Sequence, residues 1–438
     1  MKEANLNSAL GNKSRKNDSR EISPGDKVRI STVKEDIEGV LVESHEPGLT
    51  LIKLKSGYNI GIKNEDITQI ELIQEKKEKK QEIKIKQNSK LLNIDIVMTG
   101  GTISSRLDPE TGGVKWLTSP EELLKFYPEL LEIVNVRKIK VPFMKASENM
   151  DSSDWKEIAR NCEESLNDSS VSGVIVTHGT DFLHYTSAAL SFFLRDLNKP
   201  VVLTYAQRSS DRASSDAALN LVCAARAAIS EIAEVMIVGH ATENDDFCYA
   251  LRGSKVRKMH TSRRDAFKPV NSRQIAKIWP DRIETISSFR RRDNNKKCKL
   301  DLSFNERVAL VKFYPGMEPE IFDYLSGRYE GIILEVAALG HIAIDEARKN
   351  LLPAIKKAID NGLIICAAPQ TIFGRLDPLV YSPGRKLMKT GIIFLEDMLP
   401  ETAYVKLGWV LGHKDWKNKI KEKMLSSFSG EISERLIE

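Results

Sequence analysis

Four short apolar runs, IDIVM at 94, GVIVTHG at 173, PVVLTYA at 200 and VMIVGH at 235, constrain this chain more than any other feature. Each has the length and β-branched content of a strand buried on both faces, and each is too short for a helix. Between them lie stretches with helical periodicity, SDWKEIARNCEESL at 153 behind a Ser/Asp start and YTSAALSFFLRDL at 185. Strand and helix alternating in this way cover both faces of a mostly parallel sheet. The expected class is α/β, with a first body over residues 91–289. A basic break at 290–300 separates it from a second α/β body over 301–413, whose strands read ERVALVKF, GIILEV, GLIICAA and GIIFLE. Trp416, Ile420, Met424 and Phe428 then recur at helical spacing, which predicts a terminal helix over 414–438.

The upstream texture differs. Residues 1–22 are polar without periodicity and read as disordered. From 23 to 75, the segments VRI, GVLV, TLIKL and NIGI alternate with turn residues, as in a small all-β barrel suited to docking or spacing. Residues 76–90 hold seven lysines against two glutamates, a solvated linker that accounts for the whole formal charge of +5. The neutral remainder argues against a chain that wraps nucleic acid unaided. Only the basic clusters at 252–264 and 290–299 are left to touch phosphates.

No apolar run approaches the ~18 residues of a membrane span, and the polar N-terminus has no signal-peptide core. Both point to a cytoplasmic protein. Cys162, Cys223, Cys248, Cys298 and Cys366 are too scattered for zinc pairs and odd in number for a disulfide framework, so they read as reduced thiols and no metal site is expected.

The chemistry is expected at two strand ends. The first run breaks into 99-TGGT-102, neither GxGxxG nor GxxxxGK[ST], so a phosphate cradle is a weak reading. The second ends in 177-THGTD-181, which delivers Thr180 and Asp181 just after another glycine. Ligands of open parallel sheets sit beyond the carboxyl ends of strands. Hydroxyls and a carboxylate arriving there suit a hydroxyl nucleophile with its activating partners. Asp, with an ordinary pKa near ~3.9, is a weak base at neutral pH, whereas a lysine held beside it can shuttle the proton. Candidate lysines lie in 252-RGSKVRKMHTSRRDAFKP-269. His178 is expected to hold its turn together and His184 to lie on a helix face.

TGGTIS, THGTD and 200-PVVLTYAQRSSDRASSDAALN-220 resemble the three signature segments of the bacterial-type L-asparaginase and glutaminase family. The added barrel with GYNIGI, SENM at 147 and 394-FLEDMLPETAYVKLGWVLGH-413 are more particular. From about residue 23 to the C-terminus the chain resembles the D subunits of archaeal glutamyl-tRNA(Gln) amidotransferases. The resemblance implies a two-domain asparaginase-like fold behind the barrel, and a glutaminase that releases ammonia from glutamine. It implies a partner E subunit that binds tRNA(Gln), uses ATP and Mg, and converts Glu-tRNA(Gln) to Gln-tRNA(Gln), with two copies of each subunit and a homodimer through the asparaginase-like body. No cofactor is implied for this chain.

Carried over motif by motif, the resemblance makes Thr102 the attacking threonine, and Thr180, Asp181 and Lys258 the rest of the catalytic set. Lys258 is placed by the register of Phe267 and Lys268. Ser147 and Glu148 would grip the α-amino and α-carboxylate groups of the substrate, with Gly101 and Gly179 lining its site. The sequence departs from the family at 105–116, where no tyrosine occurs, and at Phe182, Tyr205, EVAALGH at 335–341 and APQ at 368–370. These departures predict an altered pocket wall or subunit contact. A stand-alone L-asparaginase and a non-catalytic scaffold of the same fold are the alternatives.

Overall fold

The computed structural model describes residues 22–42, 44, 48–75, 88–107, 114–116, 123–124, 126–209 and 212–436. The expected disordered N-terminus and lysine-rich linker fall almost wholly outside these residues. The chain divides into two compact units, one formed by the N-terminal strands with segments 105–117 and 211–214, the other by the rest.

In the first unit, β1 (Lys27–Thr32), β2 (Asp36–Val42), β3 (Leu49–Lys53), β4 (Asn59–Lys63) and β5 (Ile67–Gln74) form an antiparallel sheet in the order β4-β3-β2-β1-β5. Period-two alternation sends Val28, Ile30, Leu41, Ile52 and Ile62 into one small core. Register shifts where β1 meets β5 curl the sheet, and β4 and β5 remain its edges. A two-stranded ladder of β7 (Ser105–Leu107) and β8 (Val114–Trp116) belongs to the same unit.

The second unit is built on an eight-stranded sheet. Its parallel part comprises β6 (Asn93–Met98), β9 (Asn135–Lys140), β10 (Val171–Thr177), β12 (Val201–Thr204) and β13 (Val235–His240) in the spatial order β9-β6-β10-β12-β13. From β13 the sheet continues antiparallel through β14 (Cys248–Arg252), β17 (Ala276–Ile278) and β18 (Ile283–Thr285). The chain leaves β6 for β9 on one side and returns as β10 on the other, so the strand order reverses between β6 and β10. That reversal opens a crevice at the carboxyl ends of these two strands. A separate ribbon pairs β15 (Val256–Lys258) with β16 (Phe267–Pro269).

The second α/β body has the purely parallel sheet β20 (Val308–Lys312), β21 (Gly331–Val336), β22 (Ile364–Pro369) and β23 (Ile393–Phe394), in sequential order. The helices are α1 (Ser152–Leu166), α2 (Leu183–Phe193), α3 (Ala217–Ala228), α4 (Ile321–Ser326), α5 (Leu352–Asp360), α6 (Ser382–Met388), α7 (Pro400–Leu411) and α8 (Ile420–Leu425). Helices α2 and α7 pack against each other and are buried nearly all round, with Trp409 stacked on Phe192 at 5.4 Å between ring centroids. A helix walled on every side needs no polar stripe, which is why α2 reads as LHYTSAALSFF. Helix α1 begins with a capping box between Asp151 and Asp154, the local signal its Ser/Asp start gave.

Three segments differ from expectation. The basic stretch 290–300 is not a free linker. Arg292 donates to the carbonyls of Ser172 at 2.7 Å and Ser230 at 2.5 Å, and β19 (Lys299–Leu300) pairs with β11 (Leu194–Arg195). The 252–264 cluster is likewise engaged internally. Arg252 meets Glu234, Arg257 meets Glu401, Arg263 meets Asp265, and Arg264 meets Asp245. Carbonyls and carboxylates thus engage Arg252, Arg257, Arg263, Arg264 and Arg292, whereas Arg290, Arg291 and Lys297 of the second cluster are exposed.

The tail is not one helix over 414–438. A 3-10 stretch at Lys414–Lys419 leads into α8, which stops at Leu425. In a continuing helix the Phe428 N–H would donate to the Met424 carbonyl. Instead the buried Lys406 ammonium donates to the carbonyls of Met424 at 2.9 Å and Ser426 at 2.6 Å, while the Phe428 and Ser429 N–H groups turn to Glu431 at 3.0 and 2.7 Å. Lys406 and Glu431 pair at 2.7 Å with neither side chain exposed. Burial pushes the Glu431 carboxyl up, but Lys406 and the two N–H groups outweigh it and hold it below the ordinary carboxylate range. The helical stripe is kept in part, since Trp416 and Phe428 still pack on Trp409.

Candidate active site

The first candidate segment is shaped by glycine. After β6, Gly100 and Gly101 take φ of +126° and +84°, conformations that side chains rarely adopt. A Cβ on Gly100 would lie 2.4 Å from the Lys145 carbonyl oxygen, and one on Gly101 would lie 2.3 Å from that of His178. Two backbones therefore meet at the turn, and only bare residues let them. Thr99 donates its hydroxyl to the Thr177 carbonyl at 2.8 Å, and Ser104 and Thr177 share a hydroxyl contact at 2.8 Å. These bonds lock the ends of β6 and β10 together, so the Thr99 hydroxyl serves the turn. Thr102 opens a 3-10 turn, Thr102–Ser104, half-buried at the reversal of strand order.

The second segment follows β10. The His178 ring is wholly buried, with Nδ1 at 2.7 Å from the Gly179 carbonyl and Nε2 at 2.9 Å from the Thr186 hydroxyl. The carbonyl can only accept, so Nδ1 carries the proton and Nε2 receives one from Thr186. Burial holds the ring neutral, with its pKa down at about 4. His178 ties its turn to α2, as expected. His184 is buried on α2, and burial, then Arg257 and Lys258, hold it at about 3. Gly179 lies beside Ser147, where a Cβ would stand 3.2 Å from its hydroxyl. The Ser147 hydroxyl accepts the Phe182 N–H at 3.2 Å.

Lys258 ends β15 opposite Phe267. Its Nζ donates to the Thr180 hydroxyl at 2.9 Å and the Asp181 carboxylate at 2.7 Å. The lysine side chain is 9% exposed and that of Asp181 61%, so one end of the pair is in water and its Coulomb term is screened. Thr180, Asp181 and Lys258 thus touch. Thr102 follows Gly101, whose backbone abuts His178 and Gly179, the residues just before Thr180.

Ser147 and Glu148 form a 3-10 turn, Ser147–Asn149, and line a cavity of about 270 Å³ together with Met150, Trp155, Phe182, Tyr185, Leu310 and Tyr404. The expected substrate-gripping pair lines this cavity, and the two threonines are not among its lining residues. Sequence reasoning missed its apolar wall. Trp155 and Tyr185 read as helix core, and nothing ties Leu310 and Tyr404, from the second α/β body, to residues more than a hundred positions earlier.

The departures from the family sort by place. Phe182 is 43% exposed and lines the cavity. Tyr205 is no pocket residue: it is buried against Phe267 at 4.6 Å, and its hydroxyl donates to the Arg264 carbonyl at 3.0 Å. Its bulk is admitted by Gly239, where a Cβ would lie 2.5 Å from the Tyr205 ring. Of segment 105–116, residues 108–113 lie outside those described.

Comparison with known proteins agrees with this architecture. The family model described as Asparaginase, N-terminal matches residues 93–291, and Glutaminase/Asparaginase C-terminal domain matches 307–424. GatD N-terminal domain matches 22–73. A curated relative from Pyrococcus furiosus, named as the D subunit of glutamyl-tRNA(Gln) amidotransferase, is 48% identical over 94% of this chain and 95% of its own. One of the same name from Methanopyrus kandleri is 42% identical over 94% of this chain and 92% of its own. Among solved structures, the thermostable L-asparaginase from Thermococcus kodakarensis superposes with a TM-score of 0.69 at 27% identity, covering 78% of this chain and all of that one. The remaining fifth has no counterpart there, whereas the curated relatives span nearly the whole chain. The chain belongs to the family of glutamyl-tRNA(Gln) amidotransferase D subunits, an asparaginase fold preceded by a small β module.

Proposed function

We propose that this chain is the glutaminase subunit of a tRNA-dependent amidotransferase, hydrolysing glutamine to glutamate and ammonia. The observation that carries the chemistry is the Lys258 amine bridging Thr180 and Asp181 beside the TGGT turn. Thr102 attacks the side-chain carboxamide, and its proton passes through the Thr180, Lys258 and Asp181 cluster to the leaving nitrogen, which departs as ammonia. Water then attacks the resulting ester, returns a proton to Thr102 and releases glutamate. Backbone N–H groups beside the two threonines hold the tetrahedral oxyanion, a contribution of about 3 kcal/mol per donor. Ser147 and Glu148 hold the α-amino and α-carboxylate groups, with Gly101 and Gly179 close beneath.

The ammonia is passed to an E subunit that binds tRNA(Gln), uses ATP and Mg to activate Glu-tRNA(Gln), and forms Gln-tRNA(Gln). Two copies of each subunit assemble, with a homodimer through the asparaginase-like body, in the cytoplasm. The N-terminal module, matched over residues 22–73 by the GatD N-terminal domain model, supports this reading over a stand-alone L-asparaginase. Comparing ammonia release from glutamine and asparagine, with and without the second subunit and tRNA, tests it. Glutamine is expected to be preferred, and Gln-tRNA(Gln) to appear only with the second subunit. Far faster cleavage of asparagine with no partner bound would establish the asparaginase instead.

A further inference from the structure

The candidate amine rides on a fragile support. Among the described residues, strands β15 and β16 contribute three residues each and form a two-stranded ribbon hydrogen-bonded to no larger sheet. An isolated hairpin is at best marginally stable in water, so the position of Lys258 is imposed by what grips the ribbon from outside. One grip comes from the first α/β body, where Tyr205 packs on Phe267 and bonds the Arg264 carbonyl.

A further grip comes from the second α/β body. Alternation along the strand sends Lys258 toward Thr180 and its neighbours Lys255 and Arg257 the other way. The Lys255 ammonium donates to the Asp397 carboxylate at 2.6 Å, with side chains 1% and 0% exposed. Arg257 Nε lies 3.0 Å from a carboxylate oxygen of Glu401. These two acids stand four residues apart, one just before α7 and one in its first turn, where the helix N-terminus favours negative charge. Thr402 donates its hydroxyl to the Ser254 carbonyl at 3.0 Å, and the Ser433 N–H reaches Asp397 at 3.0 Å. The second Glu401 oxygen is buried with no hydrogen-bond partner among the described residues, so Arg257 is what compensates this carboxylate.

We infer that Asp397 and Glu401 are positioning residues for Lys258: through Lys255 and Arg257 they set the ribbon that aims the amine at Thr180 and Asp181. The inference rests on the reading of Lys258 as the amine of the catalytic set. It gives the second α/β body a part in a reaction to which it brings none of the four candidate groups.

The experiment uses the full chain in the assembly that releases ammonia from glutamine. Glu401→Gln and Asp397→Asn are made singly and each combined with Lys258→Ala, and kcat, KM and the thermal midpoint are read for all. A misplacement of the amine by about an ångström is expected to lower kcat by about tenfold to a hundredfold. KM for glutamine should stay within about twofold, because Ser147 and Glu148 are untouched. In the Lys258→Ala background neither substitution should lower the residual rate further, because both act through that amine. Unchanged kcat in the single variants, or the same fold-loss with and without Lys258, overturns the positioning role. Parent-level kcat in Lys258→Ala alone refutes the reading of Lys258 and the inference with it. If Asp397→Asn does not fold, Glu401→Gln decides, since it keeps the shape and a hydrogen-bond acceptor for the partly exposed Arg257.

Discussion

The two sheets of the second unit, one mixed and one purely parallel, carry parallel strands of similar texture, yet the candidate chemistry gathers on one. In the larger sheet the strand order reverses between β6 and β10, and Thr102 and Thr180 leave those two strands. In the smaller sheet β20 to β23 lie in sequential order, so no reversal opens a crevice at their ends. What the smaller body supplies is lateral: Leu310 and Tyr404 on the cavity wall, and Asp397 and Glu401 on the ribbon that bears Lys258. Topology decides where a site can form, and packing decides which distant residues complete it.

Four changes probe that contrast. The largest effect is expected from Thr102→Val at the reversal. Ammonia release should fall by about a thousandfold or more with the circular dichroism of the parent, and a variant as active as the parent would leave the scaffold alternative standing.

On the other body the effect should be on stability. Lys406→Met strands the Glu431 carboxylate without its buried partner and should cost about 3 to 5 kcal/mol in urea unfolding. Adding Glu431→Leu should recover only the part due to the stranded charge, because the Met424 and Ser426 carbonyls and the Phe428 and Ser429 N–H groups still lose the partners that the pair supplied. A double variant as unstable as the single would show that the tail depends on the pair itself.

Gly101→Ala tests the close approach of the two strand ends. Its φ of +84° and the His178 carbonyl 2.3 Å from the new Cβ should cost at least about 2 kcal/mol and displace Thr102. Ammonia release and the unfolding midpoint should therefore fall together, whereas Gly362→Ala, also at positive φ but with open space around it, should leave ammonia release intact.

The smallest effect concerns acid. His178 and His184 are held neutral in the fold, at about 4 and about 3 against an ordinary 6.5. The unfolded chain takes up these protons first as pH falls. Their contribution is therefore full above pH 6.5 and is lost downward through the folded values. Between pH 7 and 5 each ring should remove about 2 kcal/mol. A His184→Leu variant should be less acid-sensitive by about that amount in unfolding measurements, and an unchanged slope would contradict it.

How far the sequence could be read varies by residue. TGGT and THGTD were legible because glycines at strand exits mark backbone demands that hold in any context. Lys258 was legible only through the register of Phe267, which a resemblance supplied. Tyr205 reads in sequence as part of an altered pocket wall or subunit contact and is a buried prop for the ribbon, made possible by Gly239 on the neighbouring strand. The basic residues near 290 read as a solvated break, but a charge run does not reveal that three carbonyls surround Arg292. The terminal helical stripe was real in spacing and wrong in extent, because a lysine on another helix took its carbonyls.

By itself the sequence determined the strand runs, the glycine turns and the residue types at their ends, since these follow from local conformation and periodicity acting over a few positions. The tertiary structure alone decided that Lys258 meets Thr180 and Asp181, that Leu310 and Tyr404 close the cavity, and that Asp397 and Glu401 hold the ribbon. Those contacts join residues tens to hundreds of positions apart, and burial and charge pairing select among them only once the sheets have formed.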